Sequence, residues 1–203
     1  MGETKQRILD VSLELFSERG FSGVSIRDIC KLVQIKESSV YYHFKNKQDI
    51  LDALLLRFQK KAAGMMERLE SALQAPPTVL EEGAFFAVCN SFFEEYLMDE
   101  FCNKMLRLMM IEGFHNEKVR KIYDHWAFSE PLRFQSSVFA LLGQVEAISK
   151  KDSQYLAVSY YAPIYLYAQK WLFSGELSED NKNAFRAAAY KHIQMFFAEM
   201  GGS

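Results

Sequence analysis

Apolar residues recur along this 203-residue chain at helical spacing, and nowhere do apolar and polar residues alternate strictly over the length of a strand. Ile8, Leu9, Val11, Leu15 and Phe16 form a broad apolar stripe between Thr4, a candidate N-cap, and Gly20, a candidate C-terminal stop. A second helix is expected from Ser25, with Asp28 as its capping-box partner, burying Ile26, Ile29, Cys30 and Val33 at i, i+3, i+4 and i+7. Residues 34–36 then turn the chain into a short helix over 37–44, with Val40 and Phe44 inward. Asn46, three residues before Asp49, caps a fourth helix whose stripe runs through Ile50, Leu51, Leu54, Leu55 and Phe58.

The pattern breaks at Ala75-Pro76-Pro77, and Thr78 with Glu81 makes a capping box for a helix running to about Asp99. Further helices are expected at about 100–112, 116–126, 129–147, 152–173 and 178–200. Pro163 predicts a kink or break near Val158 and Ser159, because it brings no N–H and its ring crowds the preceding turn. The expected fold class is therefore all-α: an N-terminal three-helix unit over 1–61, with a helix-turn-helix at about 25–44, joined by a long fourth helix to a C-terminal helical domain over 62–203.

The composition, 49% hydrophobic and 25% charged, is that of an ordinary globular chain, which removes disorder and a disulfide scaffold from consideration. Net charge is only −2, but it is unevenly spread: residues 1–61 hold 11 Lys and Arg against 8 Asp and Glu, so a mildly basic segment precedes an acidic body. Cys30, Cys89 and Cys102 are odd in number, and the opening MGETKQRILD has no apolar run of a secretory signal, so reduced thiols and a cytoplasmic location are expected. Apolar runs such as AFFAV at 84–88 are far shorter than the ~20 residues of a membrane span. The initial Met-Gly is not an acylation signal, since Gln6 stands where Ser or Thr is required.

Chemistry concentrates in residues 24–47, VSIRDICKLVQIKESSVYYHFKNK. An amphipathic helix, a tight turn and a short helix with only two inward residues make a helix-turn-helix, and the outward Ser38, Ser39, Tyr41, Tyr42 and His43 call for an external partner. Duplex DNA supplies one: hydroxyl and imidazole groups donate to phosphates, and the first residues of a recognition helix reach base edges. Ser25, Arg27, Lys36 and Lys47 complete the expected DNA-binding set, Lys47 adding a cation to the backbone N–H groups at the start of the fourth helix.

From Ile8 to about Leu54 the chain resembles the TetR (tetracycline repressor) family of bacterial transcriptional regulators. ILDVSLELFSERGFSGVSIRDIC is similar to that family's first two helices, and SSVYYHFKNKQDIL to its recognition helix and the start of its fourth. The chain departs from the family pattern at Gln34, where Gly is common in the turn, at Lys36, where Ser is common, and at Ser38-Ser39, where Gly-Thr is usual. The resemblance implies a homodimer that binds a near-palindromic DNA operator, with a divergent C-terminal domain that takes a small-molecule effector.

The C-terminal body is rich in Met and aromatic residues, which suits a bulky hydrophobic or aromatic effector; Phe92, Met109, Trp126, Phe134 and Tyr161 are its candidate lining. Apolar and small residues on the last two long helices, Tyr160, Tyr167, Trp171, Phe185, Ala188, Ala189, Ile193 and Phe196, are the candidate dimer interface. Glu112-x-x-His115 has the spacing of a di-iron ligand pair, but no second copy accompanies it, so no metal or cofactor is expected. With no phosphate loop, nucleophile elbow or zinc motif, the expectation is a ligand-responsive repressor and not an enzyme. Two rival readings remain: a DNA-bound adaptor whose C-terminal domain binds a protein, and a helical enzyme on a degenerate helix-turn-helix.

Overall fold

The computed structural model of the chain describes residues 2–73, 89–144 and 152–201, and among them only helices and their connections occur. These are α1 (Glu3–Arg19), α2 (Ile26–Val33), α3 (Glu37–His43), α4 (Lys47–Leu73), α5 (89–97), α6 (Glu100–Glu112), α7 (Glu117–Asp124), α8 (Glu130–Gln144), α9 (Ser153–Ala168) and α10 (Glu179–Gly201). Three wider, π-helical turns lie at Phe93–Leu97, His125–Ser129 and Gln169–Phe173. The capping box at Thr78 and Glu81 lies outside the described residues.

Contacts divide the chain into two compact units, Met1–Gly64 with Glu100–Tyr123, and Met65–Asp99 with Asp124–Ser203. In the first, local signals act largely as the sequence implies. Ser25 accepts the Asp28 N–H and the Asp28 carboxylate accepts the Ser25 N–H at 2.8 Å, a complete capping box. Asn46 Oδ1 accepts the Asp49 N–H at 2.9 Å while Asp49 accepts that of Lys45, one residue before the cap, at 3.0 Å, a related closure of the α4 N-terminus. Thr4, however, lies inside α1: Gly2 is the N-cap and the Gln6 N–H reaches its carbonyl at 3.2 Å.

The core of this unit joins Ile8, Leu9 and Phe16 of α1, Ile29 and Val33 of α2, Val40 of α3, and Ile50, Leu51, Leu54 and Phe58 of α4, all buried. Helix α6 packs on α1 and belongs to this unit. Lys104 of α6 pairs with Glu14 of α1, and Arg57 of α4 lies 4.3 Å from the centroid of the Phe101 ring. Lys118 of α7 reaches Asp52 of α4 at 2.8 Å.

In the second unit α9 packs on α8 and α10. Asp152 caps α9 by accepting the Gln154 and Tyr155 N–H groups. The helix runs unbroken through Pro163, although a break near Val158 and Ser159 was expected. Proline leaves the Ser159 carbonyl without its helical donor; one residue on, the Tyr160 carbonyl lies 2.9 Å from His192 Nε2 of α10. The bidentate pair Arg186–Glu94 ties α10 to α5, and Arg133 of α8 reaches both Glu130 and Glu70.

Candidate nucleic-acid interface

Helix α2 ends at Gln34, whose φ of 59° and ψ of 46° are left-handed, and the Ile35 N–H reaches back to the Cys30 carbonyl at 3.1 Å. This is the six-to-one bond of a Schellman turn, made here without glycine. Arg7 of α1 donates to the Val33 carbonyl at 3.2 Å, so the end of α2 is also capped from outside. The turn therefore has a definite geometry despite its unusual residue, and α3 leaves it at a set angle.

Seven residues long, α3 buries only Val40. Phe44, just after it, is buried beneath the Lys5 ammonium, 5.2 Å from the ring centroid. Outward stand Ser38, Tyr41 and Tyr42; Tyr42 is 85% exposed, far more than a packing residue would be. Ser39 and His43 are half-buried, with the His43 ring edge-on to Tyr42 at 5.0 Å. Ser25 serves the capping box, and its hydroxyl also donates to Asp28 at 2.6 Å. That bond, the largest cause, together with the backbone bond holds the Asp28 carboxyl below its ordinary value.

At the turn a shallow groove of about 450 Å³ is lined by Arg27, Lys31, Lys36 and Glu37 among others. Arg27 spans it to Glu37 at 3.0 Å, and Lys36 is exposed at the N-cap position of α3 without capping it through its side chain. Lys31 is exposed in this groove four residues after Arg27, on the same outward face of α2, and is not among the residues expected from the sequence. Lys47 differs from the others, because its ammonium turns inward onto the Phe21 and Val24 carbonyls.

The second unit gathers part of the expected effector set. Phe92 lies 6.2 Å from Tyr161 and 5.3 Å from Tyr96, ring to ring. The Tyr96 and Tyr161 hydroxyls donate to the Trp126 and Ala127 carbonyls in the wide turn before α8, at 2.8 and 2.9 Å. Burial, the largest cause, pushes the Tyr161 hydroxyl well above its ordinary value, so it remains a donor. Phe134 is buried as well. Met109 is fully enclosed on α6, which belongs to the first unit.

The expected dimer residues also divide. Tyr160, Phe185, Ala189 and Ile193 are enclosed within the single chain and cannot face a second one, a correction to their assignment. Phe93 packs edge-on against Phe185 at 5.1 Å, and Phe139 against Tyr160 at 5.7 Å, which is why these side chains point inward. Tyr167, Trp171, Ala188 and Phe196 remain part-exposed. The outward apolar side chains are others: Tyr155, Val158, Ala162 and Leu166 along one face of α9, and Met195 on α10. A groove of about 540 Å³ between these helices includes Tyr155, Tyr167, Ala188, His192 and Phe196.

Among the described residues no cluster of His, Cys, Asp and Glu could hold a metal ion, and no helix is long and apolar enough to cross a membrane. Cys30, Cys89 and Cys102 are free and buried; burial pushes the Cys89 thiol up to about 12 against the opposing effect of its bond with Tyr160.

Comparison with known proteins bears on the same segment. The profile of the bacterial regulatory proteins of the tetR family matches residues 8–54. The biofilm operon icaADBC negative transcriptional regulator IcaR of Staphylococcus epidermidis is 48% identical over 46 residues, 23% of this chain and 25% of its own length. The transcriptional regulator UidR of Escherichia coli is 39% identical over 59 residues, 29% of this chain and 30% of its own. The match thus spans between a quarter and a third of either relative. A solved transcriptional regulator from Saccharomonospora viridis, in complex with choline, has the same fold over 96% of this chain and 97% of its own, with a TM-score of 0.66 and 19% identity.

Proposed function

Because this chain belongs to the TetR family of bacterial regulatory proteins, we propose that it is a cytoplasmic, homodimeric transcriptional repressor released from a palindromic DNA operator by a small hydrophobic or aromatic effector. The observation that carries the DNA-binding half is the outward face of α3, an exposed row of hydroxyl and aromatic groups on a helix held by one buried residue. Ser38, Ser39, Tyr41, Tyr42 and His43 meet the duplex, with Ser25, Arg27 and Lys36 at its margins on phosphates. In this reading residues 1–61 form the DNA-binding domain and, within residues 62–203, the helices of the second unit carry the effector and dimer surfaces.

Dimerisation is supported by α9, which is apolar nearly all round. One face fills the core through Leu156, Tyr160 and Ile164, and the opposite face leaves Tyr155, Val158 and Leu166 in solvent. A helix with two apolar faces calls for a neighbour on each. Two copies would set their recognition helices ~34–36 Å apart in successive major grooves. An effector among Phe92, Trp126, Phe134 and Tyr161 that prefers another spacing would lower operator affinity by about 5- to 150-fold. That the Saccharomonospora viridis regulator, which has the same fold, is solved in complex with choline supports a small-molecule effector.

The test is to select fragments from a random duplex library with the purified protein and sequence them. A near-palindromic consensus is expected. Failure to retain any duplex at low salt refutes the reading.

A further inference from the structure

Lysine is an unfavourable residue with which to open a helix, since the unpaired N–H groups there carry partial positive charge. Lys47 nevertheless opens α4. Its Nζ lies 2.7 Å from the Phe21 carbonyl oxygen and 2.6 Å from that of Val24, with the centroid of the Phe21 ring 4.2 Å away. Both carbonyls belong to the turn between α1 and α2, where Gly20 has just ended one helix and Ser25 is about to cap the next. The two carbonyls and the ring thus all engage the ammonium. Burial moves the Lys47 pKa down, against the opposing charges of Glu112 at the end of α6 and Asp28 of α2.

We infer that Lys47 is a positioning residue for DNA recognition: its ammonium clamps the α1–α2 turn to the first turn of α4, so that α2 and α3 are held in register, and it does not serve as a phosphate ligand. This rests on the DNA-binding reading above. A phosphate ligand presents its charge to solvent and tolerates motion. Lys47 instead directs its charge at two backbone carbonyls of the α1–α2 turn, that of Val24 and that of Phe21, which also accepts the Val24 N–H at 3.4 Å, and its side chain is part-buried. Removing it should loosen the turn and blur recognition without removing a counterion-releasing contact.

The experiment compares the wild-type protein with Lys47→Met, which keeps the stem and loses the ammonium, and with Lys47→Gln, a neutral donor for the case in which Met does not fold. In the free proteins, amide hydrogen exchange over residues 20–25 should accelerate by roughly tenfold or more while exchange in α10 is unchanged. The duplex selected by the wild type and a scrambled duplex of the same length are then titrated across a salt series. Affinity for the selected duplex should fall more than affinity for the scrambled one, with the salt slope unchanged. Unaltered exchange over 20–25 overturns the clamp. So does a slope shallower by about one unit with the specificity ratio preserved, the signature of a lost phosphate contact. Wild-type protein that binds neither duplex at low salt refutes DNA binding itself, while the exchange measurement still decides the clamp.

Discussion

Gly20 and Gln34 occupy two turns of the helix-turn-helix unit, and exchanging their residue types should have opposite effects. Gly20 has φ 73° and ψ 160°, a region in which a side chain costs about 1–3 kcal/mol. A Cβ there would also meet Ile111 Cγ2 at 3.1 Å, tighter than an ordinary contact, adding up to ~1 kcal/mol unless α6 shifts. Gly20→Ala should therefore destabilise the first unit by about 1–4 kcal/mol. Gln34, at φ 59° and ψ 46°, is an exposed left-handed residue that already bears such a cost. Gln34→Gly removes it but gives the unfolded chain more freedom, leaving a net gain of roughly 0.5–1 kcal/mol. Urea unfolding should be followed by circular dichroism and amide exchange at buried α1 positions such as Leu13, because both tryptophans, Trp126 and Trp171, lie in the second unit. The double variant Gly20→Ala/Ile111→Ala should recover only the contact part. Equal signs for the two single variants, or a Gly20→Ala change below about 0.5 kcal/mol, would refute the assignment of backbone strain to these turns.

Tyr42→Ala should leave the melting temperature unchanged, the side chain being 85% exposed, and weaken binding to all duplex sequences alike by about tenfold; a loss confined to one base-pair position would contradict a phosphate contact. Leu166→Arg should weaken dimerisation by about 3 kcal/mol or more, read by sedimentation equilibrium, with the fold intact because Leu166 is 64% exposed. Ile193→Glu, by contrast, should unfold the second unit before any dimer is affected, because Ile193 is fully enclosed. The Arg133 hydrogen bond holds the Glu130 carboxyl below its ordinary 4.5, so that contribution to stability is present above pH 4.5 and lost as pH falls through the lowered value. Melting curves on either side of pH 4.5 should show a smaller acid-induced drop for Arg133→Ala than for the wild type.

What the sequence alone determined is local or one-sided. Ser25 with Asp28 and Asn46 with Asp49 cap their helices because a cap needs only residues three apart, and Val40 points inward because α3 has one apolar face. The outward row from Ser38 to His43 is legible for the same reason. Where a helix offers two apolar faces, or a long side chain can reach in several directions, the sequence does not choose. Along α9 the run through Tyr160 and Ile164 and the run through Val158 and Leu166 are equally apolar, and only packing against α8 and α10 decides that the first is core and the second is surface. Lys47 reads as a free cation beside a helix start until the fold brings two backbone carbonyls, from residues more than twenty positions earlier, within reach of its ammonium. Met109 likewise reads as one of a group of Met and aromatic residues, and joins the other unit because α6 lies against α1, a contact between distant segments that no periodicity encodes.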